Sequence, residues 1–482
     1  MSGNYAAGEF FFDSFTLVNQ YNESIDLQQM CSNFQLFESI YNKFVTGEVH
    51  VFDGLNVLKN FRMTGQEFIR IKIRQKEGTD EKASDEFAID KTFRVYKIDN
   101  VQRPQTLTQT YVIRICDPKM FTVRRKRLSQ TLRGRYDQIL QNVLIDLCKF
   151  RVAEFDAWEQ TVPANKQFIC PNWTIAELID YIVNNSQSGE SHAYKNGMFF
   201  FQTLNGGFRF QSFDQMCQME FPVEFNDKPK NVVIDSEDEN INAPAGLNTT
   251  IMHHEKPQLF NTLQGTVGGA YASTLKVYDP IRKLEEESIY DLEETMKKGN
   301  HVSGNPMLYV DDFERVLQPG ILIDPEISPP IDEISVDLQP TKETSTIIIN
   351  DYHATHPFDN AENLSDPEVF EPRKLKDTGI LERRALLENL QQHRMLVSIP
   401  LRTDLSVGMI IKLDISSPEV AGDGEIEDKV NDNTYLITDL SISCDPTDKT
   451  GVCYLECVKE SYASKIENFK PLEQAPSAED LD

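Results

Sequence analysis

The sequence contains none of the short motifs that mark the commonest catalytic and metal sites. Its eight cysteines form no CxxC pair, and GxxxxGK[ST], GxSxG and HExxH do not occur. These absences leave no readable zinc knuckle, phosphate loop, serine-hydrolase elbow or zinc-protease helix. We therefore expect no catalytic residue, no resident metal and no cofactor. The scattered cysteines are expected to be reduced and mostly buried.

Long apolar runs and basic residues are also scarce. No window approaches the roughly 20 apolar residues that a membrane-spanning helix needs, and the N-terminus MSGNYAAGEFFFDSF lacks a basic segment followed by an apolar core. We expect no signal peptide and no stable membrane association. The 76 acidic and 48 basic residues give a formal net charge of −28, which argues against a protein that grips nucleic acid by its phosphates.

Strand patterns from the first quarter of the chain return near its end. The stretch 36–74 alternates apolar and polar residues around turns at Asp53-Gly54 and Thr64-Gly65. Later segments match the early ones in the same order. First, STLKVYDPIRKL (273–284) matches GEVHVFDGLNVL (47–58), and Val407-Gly408 followed by MIIKLDI matches Thr64-Gly65 followed by FIRIKI. Then YLITDLS (435–441) matches FRVYKID (93–99), and CYLECVK (453–459) matches YVIRICD (111–117). The series predicts two similar antiparallel β-barrels, near 12–118 and 255–462. Asp53, Gly65, Asp279 and Gly408 are predicted to be structural turn positions in them.

Between the two repeats the apolar period changes from two to 3.6 residues. A helix is predicted around 136–147, and a second helix begins at Thr174, where Thr174 and Glu177 have capping-box spacing. The segments MFFFQ and FRFQSF flank Asn205-Gly206-Gly207, a pattern typical of a β-hairpin. A third helix is predicted over 381–396. The fold class is therefore mainly β with α+β insertions.

At 482 residues the chain is long enough for two to four domains. We divide it into a flexible N-terminus (1–11), a first barrel (12–118), an α+β module (119–217), a linker with the first part of the second barrel (218–310), an acidic proline-rich insertion (311–375), a helix with the remainder of the second barrel (376–462) and an acidic C-terminal tail (463–482).

Two clusters of charged or metal-binding residues need an explanation. His353 and His356, in DYHATHPFD, could contribute to a zinc or iron site, but no helix sets their geometry and a polar loop explains them better. The run Arg124, Arg125, Lys126 and Arg127 is the strongest cationic patch. We interpret it as a candidate interface with an acidic neighbour, because the overall charge disfavours nucleic acid.

The ordered series of motifs resembles the baseplate hub subunit of contractile-tailed bacteriophages, a family related to the base of the type VI secretion spike protein. The resemblance rests on FESIYNKFVTGEVHVFDGLNVL, RLSQTLRGRYDQILQNVL, PNWTIAELIDYIV, MFFFQTLNGGFRFQSF and VSIPLRTDLSVGMIIKLDI. It covers most of residues 12–462. The insertion near 311–375 and the acidic tail depart from the family pattern.

The resemblance implies a homotrimer in which two tube barrels per chain alternate to form a pseudo-six-fold ring. Such a hub adapts the six-fold tail tube, or a tube-initiator protein, to the three-fold central spike and contacts other baseplate proteins. DNA would pass through without specific binding during genome ejection. The implied location is the tail baseplate of a virion, after synthesis in the host cytoplasm.

Two alternatives belong to other functional classes. A hub-associated hydrolase of the same particle, acting on peptidoglycan or using a metal at His353 and His356, would need about 100 further residues with their own core. The acidic, proline-rich insertions do not supply such a core. A carbohydrate-binding protein would be expected to expose Trp and Tyr platforms, and the chain has only two tryptophans.

Overall fold

In the computed structural model, the described residues are 7–75, 88–105, 107–162, 166–189, 194–219, 223–226, 249–279, 284–303, 305–306, 346–350, 379–415 and 433–462. Among these residues, no helix is both long and apolar enough to cross a bilayer.

The first part of the chain is a set of antiparallel strands with one short helix. Alternate residues of these strands are buried in the main hydrophobic core, as the two-residue period predicts. The elements are β1 (Phe10–Val18), β2 (Ser24–Asp26), β3 (Cys31–Ser39), β4 (Thr46–Asp53), α1 (Val57–Asn60), β5 (Phe68–Gln75), β6 (Ile89–Gln105) and β7 (Thr108–Cys116).

The middle part is an α+β module with a hydrophobic core of its own. Its elements are α2 (Pro118–Arg125), β8 (Arg127–Leu128), β9 (Thr131–Gly134), α3 (Tyr136–Asp146), a 3₁₀ turn (Val152–Glu154), β10 (Phe155–Trp158), β11 (Thr161–Val162), β12 (Lys166–Ile169), β13 (Trp173–Thr174), α4 (Ile175–Asn185), β14 (Gln187–Ser188), β15 (Met198–Gln202), β16 (Phe208–Ser212) and α5 (Phe213–Cys217). The predicted capping box is present, since Thr174 Oγ1 accepts from Glu177 N and the Glu177 carboxylate accepts from Thr174 N. The predicted hairpin is β15–β16.

The last part returns to antiparallel strands. Its elements are β17 (Glu224–Asn226), β18 (His253–Gln258), α6 (Thr262–Gly268), β19 (Ala272–Asp279), β20 (Leu284–Asp291), α7 (Leu292–Met296), β21 (Asn305–Pro306), β22 (Thr346–Asn350), α8 (Gly379–Leu390), β23 (His393–Pro400), β24 (Ile410–Asp414), β25 (Asn433–Asp445), β26 (Thr450–Lys459) and β27 (Ser461–Tyr462).

Strands from the first and last parts belong to one 13-stranded sheet. Its order is β18-β23-β26-β25-β3-β4-β7-β6-β5-β1-β2, with β24 joined to β25 and β17 joined to β24. The fold is therefore mainly β, as predicted, and among the described residues the large sheet is not closed. The described strands of the two predicted barrels share this sheet, since β25 of the last part pairs directly with β3 of the first, and they do not by themselves form two closed barrels.

Two parts of the sheet, here called the first and second halves, repeat one arrangement of five strands. The first half is β3-β4-β7-β6-β5, and the second half is β18-β23-β26-β25-β24. In both halves a β-bulge lies at the same place, between Val95 and Lys97 in β6 and between Ile437 and Asp439 in β25. Because a bulge shifts the ladder by one residue, its recurrence fixes the alignment of the halves residue for residue. The predicted matches of 93–99 with 435–441 and of 111–117 with 453–459 are confirmed.

β5 and β24, the strands that precede the two bulged strands in the sequence, each follow a glycine with a left-handed backbone conformation. Gly65 has φ of 84° and Gly408 has φ of 80°. Glycine reaches this region without the steric cost that a Cβ atom brings. A Cβ at Gly65 would meet open space, whereas one at Gly408 would lie 2.9 Å from Phe201 Cζ.

One predicted match is wrong. The segment 273–284 does not occupy the place of β4, because β19 belongs to a separate three-stranded sheet with β20 and β22. The counterpart of β4 is β23, which pairs with β26 as β4 pairs with β7. The segment resembled β4 because any half-buried strand followed by an Asp turn has the same local pattern; partner strands decide the position.

Candidate functional site

The junction between the two halves is the feature on which an assembly function would depend. There β3 and β25 pair antiparallel, with Ser39 opposite Asp439 and Phe34 opposite Cys444. The equivalent edges, on the end strand β18 and on the last part of β6, which extends beyond β5, carry no further ladder among the described residues. The chain therefore shows one edge-to-edge contact between similar halves and has two matching edges without such a contact among the described residues.

A buried carboxylate connects three parts of the molecule at this junction. Glu38, in β3, is almost fully buried. One of its oxygens accepts from the backbone N–H of Leu204, at the tip of the β15–β16 hairpin, and the other accepts from Val407 N at 3.1 Å. The first half, the α+β module and the second half thus meet at one side chain.

Burial raises the pKa of Glu38 to about 7, against the opposing effect of the two backbone N–H donors. Lys91 and Arg209 lower it further, but desolvation is the largest contribution. A carboxyl group with this pKa changes its charge near neutrality. We therefore expect the order of the junction to depend on pH.

The hairpin tip around Glu38 is held by further polar contacts. Asn205 Nδ2 donates to Leu405 O at 3.3 Å and also to Thr403 O, while Lys91 Nζ donates to Gly206 O at 3.0 Å. These bonds attach the α+β module to both halves of the large sheet. The Asn-Gly turn predicted as a simple hairpin loop is thus a docking element.

Around the junction, the side of the sheet that faces away from the core is concave and carries charged pairs. A cavity of about 530 Å³ lies across β18, β23, β26, β25 and β3. Its acidic lining residues are Glu38, Glu255, Asp439 and Glu456. Farther along the same face, Arg114 pairs with Glu48 and Asp99, and Lys97 pairs with Asp99.

The cations on this face are neutralised by carboxylates. Arg394 pairs with Glu456 at 2.6 Å, as Arg114 and Lys97 do with their acids. Asp439 and Glu456 lie opposite each other in the β25–β26 ladder. Around the cavity this face therefore carries more acidic than basic side chains.

Asp53 is a structural acid within the first half. Its buried carboxylate accepts from Leu55 N at 2.8 Å, Val57 N at 2.7 Å and Gln109 Nε2 at 2.9 Å. Tyr111 Oη donates to it at 3.3 Å, and burial raises the pKa of that phenol. The carboxylate thus ties the turn after β4 to β7.

The other predicted turn acid has a different setting. Asp279 ends β19, in the separate small sheet, and its side chain lies outside the described residues. The residue at the place of Asp53 in the second half is the buried Leu401, whose N–H donates to Gly451 O at 2.9 Å. Asp53 and Asp279 are therefore not equivalent positions.

The basic run lies in the α+β module, at the end of α2 and the start of β8. Arg124, Arg125 and Arg127 are exposed, whereas Lys126 is half-buried. Lys126 Nζ donates to Leu147 O, and Arg127 Nη1 donates to Asn172 O at 3.0 Å. Arg124 and Arg125 are the members of the run that can meet a partner without disturbing the module.

The described residues bring together no group of three or more metal-ligating side chains. His353 and His356 lie outside them, as does the insertion 311–375 apart from β22. All eight cysteines are unpaired thiols and seven are buried, as predicted.

The fold is similar to solved phage tail proteins over most of its length. The alignment with the tail protein from Neisseria meningitidis MC58 covers 94% of this chain and 97% of that protein, at 8% identity and a TM-score of 0.48. The 43 kDa tail protein of prophage MuSo2 from Shewanella oneidensis covers 93% and 98%, at 9% identity and a TM-score of 0.49.

A component of type VI secretion is similar as well. The E. coli c3393 protein, described as similar to T4 bacteriophage tail proteins, covers 96% of this chain and 79% of its own, at 8% identity and a TM-score of 0.40. No protein-family model and no curated protein sequence matches the chain.

Sequence reasoning missed Glu38. In the pattern FQLFES, the two-residue period places Glu38 on the same side of the strand as Phe34 and Leu36, which is a local signal of burial that was not used. Its burial comes from Leu204 and Val407, which are 166 and 369 residues away in the sequence.

Proposed function

We propose that this chain is a structural hub subunit of a phage-type tail baseplate. Three copies form a ring of six similar units that joins a six-fold tail tube, or its initiator, to a three-fold central spike. The ring serves as a virion component without catalytic activity, and its opening lets DNA pass during infection.

The observation that carries this proposal is the repeated half within one chain. Two halves with the same strand order and the same bulge are joined edge to edge through β25 and β3. If the same contact is repeated between chains, rotational closure of three chains gives a ring with six similar units. Such a ring presents three-fold symmetry to one neighbour and approximate six-fold symmetry to another, which the adaptor role implied by the sequence motifs requires.

The concave sheet face supports the passage of DNA. In the proposed ring this face lines the channel. A duplex binds where cations neutralise its phosphates and release counterions. Here Arg114 and Arg394 are already paired with carboxylates, and the chain carries a net charge of −28. The wall would therefore repel DNA and allow it to slide.

The assembly itself is the first test. A cryo-EM reconstruction of the particle, or of the protein bound to its spike, is expected to show three copies in one ring, with first and second halves alternating around the axis. The isolated protein can remain a monomer, so the measurement uses the assembled state. Six copies in the ring, or no ring, would reject the proposal.

The basic run provides a second prediction. Replacing Arg124 and Arg125 with glutamine is expected to weaken assembly about tenfold at low salt and less at high salt, because exposed charge pairs are screened. Lys126→Gln serves as a comparison, since that side chain holds the Leu147 carbonyl and its loss should lower thermal stability instead.

Duplex DNA binding is measured on the same proteins at physiological salt. We expect it to be negligible for the parent and for the Arg124/Arg125 variant. Tight binding by the parent that disappears in the variant would contradict the passive channel.

A further inference from the structure

The outer edge of β6 differs in exposure from its internal counterpart on β25. The last part of β25, which β3 covers, has Leu440, Ile442 and Cys444 fully buried. Among the described residues, the equivalent part of β6, beyond Val95, has β7 as its one ladder partner and is mostly exposed. This edge is thus covered in the second half and uncovered among the described residues of the first.

The strand that would cover β6 can be identified by the repeat. β3 covers β25 inside the chain, and the counterpart of β3 is β18, because β18 pairs with β23 as β3 pairs with β4. β18 is an end strand of the sheet, with one ladder partner among the described residues. Edge strands of this kind are templates for pairing with another chain.

The register of this contact follows from the internal junction. There Ser441 lies opposite Phe37 and Ser443 lies opposite Gln35. Ser441 and Ser443 pair with Tyr454 and Val452 of β26. In the first half, Asp99 and Gln102 hold the same two positions, since they pair with Val112 and Thr110 of β7.

The partners in β3 and β18 are matched in the same way. Phe37 and Gln35 of β3 pair with Thr46 and Glu48 of β4. In the second half, Gln258 and Glu255 of β18 hold the same two positions, since they pair with Arg394 and Leu396 of β23. The transferred register therefore places Gln258 opposite Asp99 and Glu255 opposite Gln102. Pro257 has no N–H, so the ladder lacks one donor at that position.

Apolar residues next to β18 are uncovered in the same way. Leu259, Phe260, Leu263 and Val267, here called the α6 patch, are all exposed, with Leu263 at 78% and Phe260 at 68%. The residues that follow β3 at the internal junction include Ile40 and Val45, both buried. Four neighbouring exposed apolar side chains are typical of an interaction surface.

We propose that β18 and the α6 patch of one copy dock on the outer edge of β6 in a second copy of this chain. The strands run antiparallel, with Gln258 opposite Asp99 and Glu255 opposite Gln102. The α6 patch then continues toward the exposed aromatic residues Tyr96 and Phe68. This contact rests on the proposed ring and specifies its interface between chains.

Engineered cysteines test the register in the full-length protein. Gln102→Cys with Glu255→Cys is expected to give cross-linked trimers with a short bifunctional maleimide in assembled rings. Gln102 is used because Asp99 is engaged in ion pairs with Lys97 and Arg114. The native thiols give little background because seven are buried.

A shifted pair is the matched control. Gln102→Cys with Gln258→Cys moves one thiol by two ladder positions, about 7 Å along a strand, because a bulge lies between Glu255 and Gln258, and it should cross-link about tenfold less. Rings that form but cross-link equally or better through the shifted pair would overturn the register while leaving the proposed function intact. Absence of any ring in the assembled particle would instead overturn both.

The α6 patch is tested separately from the ladder. Leu263→Ser should weaken trimer formation at least about fivefold, since an exposed leucine becomes buried only on association. Its thermal stability as a monomer should not change. Ile169→Ser, at a residue 62% exposed in the α+β module, is the control and should leave assembly unaffected. Equal assembly of both variants would contradict the proposed role of the patch.

Discussion

Replacing Glu38 with alanine is expected to destabilise the protein by about 2 to 4 kcal/mol and to loosen the contact between its three parts. The substitution leaves the N–H groups of Leu204 and Val407 buried without an acceptor. Each such donor costs about 1 to 3 kcal/mol, and the relief of removing a buried acid offsets part of the sum. Urea unfolding measures the loss, and protease cleavage in the β15–β16 hairpin reports the loosening.

The same residue is expected to make stability depend on pH. Its pKa is raised from 4.5 to about 7 in the folded protein, so the folded state holds this proton more tightly than the unfolded chain does. The stabilisation that the tighter binding of this proton gives the folded state is therefore fully present below about pH 4.5 and is lost as pH rises through about 7. We expect the junction to loosen over this interval.

Glu38→Gln is the matched control for both effects. It keeps one carbonyl oxygen for one of the two N–H groups and has no titratable proton. We expect a loss smaller than that of Glu38→Ala, together with a flatter stability profile between pH 5 and pH 8. A profile with the parent's slope would show that another group is responsible.

Replacing Asp53 with leucine is expected to cost about 3 to 5 kcal/mol. The carboxylate accepts from two backbone N–H groups and from the side chains of Gln109 and Tyr111. Hydrogen bonds to a charged acceptor contribute about 1.5 to 3 kcal/mol each, and the donors remain buried after the substitution. The expected loss exceeds that of an ordinary helix or turn cap, about 1 kcal/mol.

Asp53→Asn separates charge from geometry. It retains one oxygen, so it should recover about half of the loss in thermal or urea unfolding. Surface chemistry should be unaffected, because the side chain is buried. Unchanged stability in Asp53→Leu would show that the turn after β4 does not depend on its acid.

Local patterns predicted the elements well and their partners less well. The capping box at Thr174 and the β15–β16 hairpin depend on neighbours in the sequence, and both were found. The helix predicted over 381–396 ends at Leu390, and Leu396 lies in β23. Leu396 continues the helical spacing by chance, because a strand that pairs with β26 also accepts a leucine at this position.

The repeat shows the same limit. The segments around Val95 and Ile437 could be aligned from sequence because each carries its bulge within the match and follows a matched strand that comes after a turn glycine. The segment 273–284 could not be placed, because its position depends on β20 and β22 and not on its own pattern. The junction at Glu38 depends on three distant segments, and its alternation with Phe34 and Leu36 indicates burial without identifying those partners.

The β3–β25 ladder also imposes an order on synthesis. Asn33 and Ser443, which share a hydrogen bond at this junction, are 410 residues apart in the sequence. At roughly 5 to 20 residues per second, the ribosome needs on the order of 20 to 80 s to deliver the second after the first. During that time β3 is an uncovered strand edge on the nascent chain, at which premature pairing with another copy can occur. The interval between the synthesis of β3 and that of β25 is therefore a stage at which this protein is open to misassembly.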